Sequence, residues 1–294
     1  MAAAKKTKRP GSVILSRTRV VGSRKPETSL SAKAGRTLIR KHHTLQKMKS
    51  QALAKNDPHT AEKLQAEIEA SGGLEKYQQA SVLGQSAQRG GDSSKVLMGW
   101  INEIRGKTKC ASRLRVLEVG CLSPDNAIAK SPLFDLTRID LNSRASCIET
   151  QDFMERPIPD TYDQKSKFDM ISLSLVLNYV PEPALRGEML RRTLCFLRHA
   201  HQLDAEEPLS KFFPSVFIVL PAPCVTNSRY LNEDRLNLIM QSLGYTQVRR
   251  KLSSKLIYGL WRLEDGTRLK RRIQIKKTEV NPGSTRNNFA IVLQ

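Results

Sequence analysis

The stretch of the chain richest in chemistry is RLRVLEVGCLSPDN, residues 113–126, where an apolar run ends in an acid and a glycine. Glu118 is a hydrogen-bond acceptor at the end of that run, and Gly120 lets the backbone approach a ligand closely. Asp140 closes a second run, LTRIDL, at a point where an acid accepts hydrogen bonds from ribose hydroxyls. In TQDFMER, Asp152 adds an acceptor and Phe153 an apolar face suited to an adenine ring, although Phe153 suits a plain core contact equally well. Asn178 and Tyr179 follow a third run in FDMISLSLVLNYVPEP and supply further polar groups. Leu122 and Pro124 stand where a GxGxxG turn has glycines, which argues against a pyrophosphate and for a less demanding, nucleoside-like ligand. Ordinary strand-to-helix turns carry the same residue types, so the pattern alone leaves both readings open.

The second polar concentration is PCVTNSRY. There Asn227 can bond a base edge, Arg229 a phosphate, and Tyr230 can stack on a base. The same residues also suit a capped loop in which Asn227 or Ser228 bonds the local backbone. Arg286, Asn287 and Asn288 form another polar group before the last apolar run, either lining a channel or bracing loops. The five cysteines lack CxxC spacing, and an odd number argues against a disulfide framework. His42 and His43 have no partners at metal-ligand spacing, so no metal is assigned.

Strands and helices must place these groups. Four runs predict strands: RVLEV at 115–119, LTRIDL at 136–141, DMISLSLV at 169–176 and SVFIVL at 215–220. A short further strand is expected just before Asp152. PEPALRGEMLRRTLCFL predicts a helix with Leu185, Met189, Thr193 and Leu197 along one face, and EDRLNLIMQSLGY a helix ending at Gly244. LIYGLWRL and the terminal NNFAIVL are expected to supply an antiparallel edge, with the basic insertion RLKRRIQIKK between them facing a partner. Upstream, HTAEKLQAEIEA, GLEKYQQASVLGQ and SSKVLMGWINEI have helical composition, the last with an apolar stripe of Leu97, Trp100 and Ile101. The fold expected is an open α/β sheet. A basic, disordered tail occupies 1–56, a helical extension 57–110 and the sheet domain 111–294.

Charge narrows the partner. The chain of 294 residues carries a formal +21, and its first fifty residues hold fourteen Lys and Arg against one acid, Glu27. Such an excess calls for a polyanion, and nucleic acid fits better than an anionic membrane because no amphipathic or lipidated anchor is evident. RTLIRKHHTLQKMK, residues 36–49, suggests a basic helix against RNA with both histidines exposed. There is no secretory signal and no stretch suited to spanning a membrane. The basic tail suits nuclear entry or RNA contact.

The ordered motifs resemble those of class I S-adenosylmethionine-dependent methyltransferases over about residues 90–294. More closely, GGLEKYQQAS, LEVGCLSPDN, RIDLNS, IETQDFME, FDMISLSLVLNYVP, PAPCVTNSRY and PGSTRNNFAIVL resemble the fungal large-subunit (25S) ribosomal RNA adenine-N1 methyltransferase family. That resemblance implies a Rossmann-like domain with a helical N-terminal extension, S-adenosyl-L-methionine as cofactor, large-subunit ribosomal RNA or pre-ribosomal particles as partner, and residence in the nucleus and nucleolus. A monomer is expected. It further implies that Glu118, Gly120, Asp140, Asp152, Phe153 and Ser174 line the cofactor site, reached also by Gln78 from the helical extension. Substrate-side roles fall to Asn178, Tyr179, Asn227, Arg229 and Tyr230. Adenine N1 attacks through an in-plane lone pair, so the absence of a Ser/His/Asp set is no obstacle. LNYVP replaces the Asp/Asn-Pro-Pro-Tyr/Phe motif of exocyclic-amine methylation, and Cys224, the only candidate nucleophile for pyrimidine carbon-5, reads more simply as a buried strand-end residue. Two alternatives stay open: a cofactor-binding adaptor or sensor without turnover, and an RNA methyltransferase of another base specificity.

Overall fold

The computed structural model describes residues 32–294 apart from 74, 77–78, 81–90, 106–112, 144, 200–207 and 265–273. A seven-stranded sheet organises the chain. Its strands are β1 (Leu114–Val119), β2 (Phe134–Asp140), β3 (Glu149–Thr150), β4 (Met170–Ser174), β5 (Ser215–Pro221), β6 (Tyr245–Leu252) and β7 (Leu256–Leu263), in spatial order β3-β2-β1-β4-β5-β7-β6. The first five run parallel, while β7 runs antiparallel to both β5 and β6. Strands β1, β4 and β5 read as nearly unbroken apolar runs because both faces of a parallel sheet are covered. One face packs Leu97 and Ile101 of α3 (Ser94–Arg105), with Trp100 edge-on to Phe217 at 6.1 Å. The other face packs α4 (Pro183–Phe196) and α5 (Glu233–Ser242) around Ile171, Leu173, Ile218 and Trp261.

The order in which strands are added reverses between β1 and β4: β2 and β3 lie to one side, β4 and β5 to the other. At such a switch point the loops part, leaving a crevice beyond the carboxyl ends of the strands. Glu118, Asp140 and Ser174 stand at that end of their strands.

Several expectations need correction. The antiparallel edge is β6, which carries Arg249, Arg250 and Lys251, and β7 lies inside it; charged, bulged edges of this kind protect a sheet from pairing with other chains. NNFAIVL forms no strand. It makes isolated bridges at Asn287 and Leu293 and is apolar because Ala290, Ile291 and Leu293 are buried against α4. On α4, Met189, Thr193 and the following Leu197 are buried as expected, but Leu185 is exposed and Arg186 and Gly187 face inward instead.

Helical structure begins well before residue 57. Helix α1 (Ala32–Ala54) takes up the second half of the segment expected to be a disordered tail and pairs with α2 (Pro58–Ala70) in a hairpin; residues 1–31 lie outside the described residues. Leu45, Ala52, Ala61, Leu64 and Ile68 form its core, and Asp57 caps α2 by accepting from Thr60 N at 3.0 Å. Burial between the helices, which depends on α2, overrides the charge of α1. His42 is buried there rather than exposed, and burial lowers its pKa; the His43 side chain lies outside the described residues.

Candidate active site

A cavity of about 320 Å³ occupies the crevice, a size suited to a small nucleoside ligand. Its wall includes Gly120 after β1, Asp140 ending β2, Asp152 and Phe153 after β3, Ser174 ending β4, and Tyr179. These residues, scattered over some sixty positions of sequence, are brought together by the strand order. Gly120 adopts φ +72°, where its N–H still donates to Ile139 O at 2.8 Å, and a methyl group there would lie 2.8 Å from Val176 Cγ2. Leu175 takes φ +57° at the matching end of β4 with its N–H bonded to Val219 O. A branched residue held in the left-handed region costs about 1 kcal/mol or more, and such strain concentrates at functional sites.

The two carboxylates are anchored by their own loops. Asp140, 9% exposed, accepts from Asn142 N at 2.8 Å, and Asp152 accepts from Met154 N at 2.7 Å. Arg192 of α4 clasps the Asp152 loop from behind through the carbonyls of Phe153, at 2.8 Å, and Arg156. Phe153 serves both readings made of it: it contributes to the cavity wall, and it is buried against Phe196 at 5.3 Å between centroids. Ser174 Oγ lies 2.7 Å from Ser93 Oγ, which ties β4 to the segment before α3. The neighbouring Asp92 accepts from Ser94 N at 2.9 Å and from Ala127 N, so it also pins the loop after β1.

Glu118 does not reach the cavity wall. Its side chain turns beneath the loop after β1, where Asn126 Nδ2 donates to Oε1 at 2.7 Å. Oε2 lies 4.0 Å from Arg138 Nε, beyond hydrogen-bonding distance, and neither atom has a hydrogen-bond partner among the described residues. Burial pushes the carboxyl up to about 7 against the opposing pull of Cys121, Arg138 and Asn126. A raised carboxyl pKa makes the folded state release its proton later than the unfolded chain. Stability is therefore expected to fall between about pH 4.5 and pH 7 and to level off above, with Glu118→Gln removing that fall. Thermal melts of both proteins from pH 4 to 8 check this; superimposable pH profiles would show that Glu118 does not carry the effect.

The substrate-side candidates separate into two groups. Tyr179 lines the cavity, whereas Asn178 lies beside it with its Oδ1 buried and without a hydrogen-bond partner among the described residues. Asn227, Arg229 and Tyr230 are outside the wall, on the loop after β5, the next strand over from β4. That loop is braced by the C-terminal segment: Arg229 N donates to Asn287 O at 3.0 Å, Ser228 Oγ to Phe289 O at 2.6 Å, and Asn287 Nδ2 to Pro223 O at 2.7 Å. Asn287 is thus a brace, and Asn288 is exposed. Gln78 lies outside the described residues.

One residue joins the two loops. The buried Arg186 donates to Val180 O at 2.9 Å, Pro181 O at 3.2 Å and Ala290 O at 2.6 Å, and its guanidinium lies over Phe289 at 4.2 Å. Burial without a facing carboxylate pushes its pKa down to about 10. Arg186 drew no attention in the sequence because its packing partners lie a hundred residues downstream. Leu141 and Leu185 were missed too, yet both line the cavity while 63% and 42% exposed, apolar surface that a bound ligand would cover.

Residues 62–291 match the family described as Bmt2, 25S rRNA (adenine(2142)-N(1))-methyltransferase. The chain belongs to the Bmt2 family. The 25S rRNA adenine-N(1) methyltransferase of Schizosaccharomyces pombe is 39% identical over 262 residues, covering 87% of this chain and 90% of its own length. The 25S rRNA (adenine(2142)-N(1))-methyltransferase of Saccharomyces cerevisiae is 39% identical over 228 residues, covering 77% of this chain and 62% of its own. Among solved structures, the N-methyltransferase NodS from Bradyrhizobium japonicum, in complex with S-adenosyl-L-homocysteine, is 13% identical with a TM-score of 0.34, covering 57% of this chain and 85% of that one. Every residue that lines the cavity falls inside the Bmt2 match.

S-adenosylmethionine is the cofactor implied for a Bmt2-family protein, and the residues present fit it. Turns rather than a helix follow β1, so the loop presents no helix N-terminus for a pyrophosphate. What the cavity does present is a close-approach glycine and two carboxylates in a strongly basic chain, the acceptor and charge set for ribose hydroxyls and a cationic sulfonium. Among the described residues no three His, Cys, Asp or Glu side chains converge as a metal site, and no helix is long and apolar enough to cross a membrane.

Proposed function

We propose that this protein methylates N1 of an adenine in large-subunit ribosomal RNA, as a monomer acting in the nucleolus. The match to the Bmt2 family over the whole cavity-bearing domain carries this reading. The basic charge of +21 supports a ribosomal RNA partner and nucleolar residence.

When bound, S-adenosylmethionine supplies a methyl group on a sulfonium, electrophilic enough for an in-plane nitrogen lone pair to attack without a general base. In this reading Asp140 holds the ribose hydroxyls, Gly120 admits the methionine end along the backbone, and Asp152 with Phe153 borders the base. The apolar Leu122, Leu141 and Val176 of the wall exclude water, which strengthens each electrostatic contact in the pocket. Tyr179 faces the incoming adenine from the cavity wall, and Asn178, whose buried amide oxygen lacks a hydrogen-bond partner among the described residues, stands next to it. Asn227, Arg229 and Tyr230 handle the flanking RNA. Methylation of N1 leaves the ring cationic, and the acid-bearing pocket favours that charge over a neutral ring. N1 lies on the pairing edge, so the target must be unpaired or flipped, which favours pre-ribosomal RNA over a finished ribosome.

The test incubates the full-length protein with labelled S-adenosylmethionine and unmodified large-subunit ribosomal RNA, then digests the RNA and identifies the methylated nucleosides by mass spectrometry. The expected product is 1-methyladenosine. A different methylated nucleoside would reassign the base, and cofactor binding without any product would point to an adaptor or sensor.

A further inference from the structure

Beside the cofactor cavity lies a second, larger cleft of about 770 Å³. Pro181 belongs to the walls of both, so the two adjoin. Ser50, Gln51 and Ala54, at the end of α1, form one wall of the cleft. Pro183, Ala184 and the C-terminal Val292, Leu293 and Gln294 also line it, together with Gln274, Lys276 and Lys277. The end of α1 therefore walls a cleft that adjoins the catalytic pocket.

The chemistry of the channel is that of a nucleic-acid backbone site. Lys276 and Lys277 are exposed, and neither forms an ion pair among the described residues, although three glutamines and a serine line the channel with them. Glu182 is the one acidic side chain in its wall among the described residues. Lys277 Nζ sits 4.1 Å over the ring of Tyr230, which puts a phosphate-binding cation and a stacking ring side by side. Lys276 is held in place through its backbone, its carbonyl accepting from Arg235 Nη2 at 2.8 Å.

We propose that this cleft, between the end of α1 and Gln274–Lys277, binds the single-stranded RNA that flanks the target adenine, with Lys276 and Lys277 on phosphates and Tyr230 stacked on a base. The inference rests on the methyltransferase reading for the identity of the RNA. A target delivered to the pocket must be unpaired, so its neighbours leave as single strand, and the cleft adjoining the pocket at Pro181 offers them two exposed lysines. The end of α1 then serves as one wall of a substrate channel.

The experiment compares the full chain with a Lys276→Glu/Lys277→Glu variant and the milder Lys276→Gln/Lys277→Gln. The probe for binding is a single-stranded oligoribonucleotide of large-subunit sequence, titrated at several salt concentrations; KM for unmodified ribosomal RNA and affinity for S-adenosylmethionine are measured alongside. Expected is a loss of RNA affinity of about tenfold or more in the reversal variant. The slope of log affinity against log salt should become shallower by about 1.4 in the glutamine variant, the value for two lost single-strand phosphate contacts. KM for RNA should rise with cofactor affinity unchanged. Unchanged RNA affinity and slope in both variants overturn the proposal. If the parent protein makes no 1-methyladenosine yet binds RNA through these lysines, the methyltransferase reading falls and the channel stands. If both variants methylate with unaltered KM, the channel falls and the methyltransferase reading stands.

Discussion

Asp140→Ala is expected to weaken binding of S-adenosylmethionine by roughly 10- to 100-fold, about 1.5–3 kcal/mol, the scale of hydrogen bonds to a charged group. The carboxylate stands at the end of β2 in the cavity wall, 9% exposed, and its Oδ1 already takes Asn142 N at 2.8 Å. Removing it deletes the acceptor proposed for the ribose and frees the Asn142 turn at the same time. Asp140→Asn keeps an oxygen for Asn142 N but loses the charge and one acceptor, so its affinity should fall between the two. Isothermal titration with the cofactor reads both effects, and a thermal melt separates lost binding from lost folding. Unchanged affinity in Asp140→Ala would remove this residue from the site.

Gly187→Ala is expected to have the largest effect on stability, a loss of about 3 kcal/mol. A methyl group at this position of α4 would lie 1.8 Å from Val292 O and 2.8 Å from Val292 C, contacts that no side-chain rotation can relieve. The C-terminal segment is fastened there through Val292 N to Pro183 O at 2.9 Å and must lift away. Lifting it pulls on Arg186, which bonds Ala290 O on one side and Val180 and Pro181 on the other, and on Ser228, which bonds Phe289 O. Damage in one glycine should thus spread to the mouth of the pocket and to the Asn227–Tyr230 loop, lowering methylation even at temperatures where the protein stays folded. Denaturant titration and 1-methyladenosine formation together check this. A variant as stable and active as the parent would mean that the segment is not seated on α4.

The reach of sequence reading differs from residue to residue. Asp140 and Asp152 stood out because one ends a predicted strand and the other follows one, and strand ends are where a parallel sheet presents polar groups, whereas Ser174 entered only through the family resemblance. Glu118 shares that placement but not that surrounding: alternation along β1 and the loop above it turn its side chain toward Asn126 and Arg138. Leu175 gave no signal, since nothing in its identity announces φ +57°. The final NNFAIVL and the strand β6 exchanged appearances. The first is apolar because it is pressed against Gly187, and the second is charged because it forms an open edge.

By itself the sequence determined the runs that become β1, β2, β4 and β5, the acids at their ends, the missing glycines that argue against a pyrophosphate turn, and a charge that calls for a polyanion. These properties are local, carried by a few adjacent residues whose burial pattern repeats along the chain. Tertiary structure alone decided which of those ends meet at the cavity, that Arg186 joins the β4 loop to the C-terminal segment, and that the end of α1 walls a cleft beside the pocket. These depend on contacts between distant segments, more than two hundred residues apart in the case of the cleft, and neither composition nor periodicity records which distant surface will cover an apolar or cationic face.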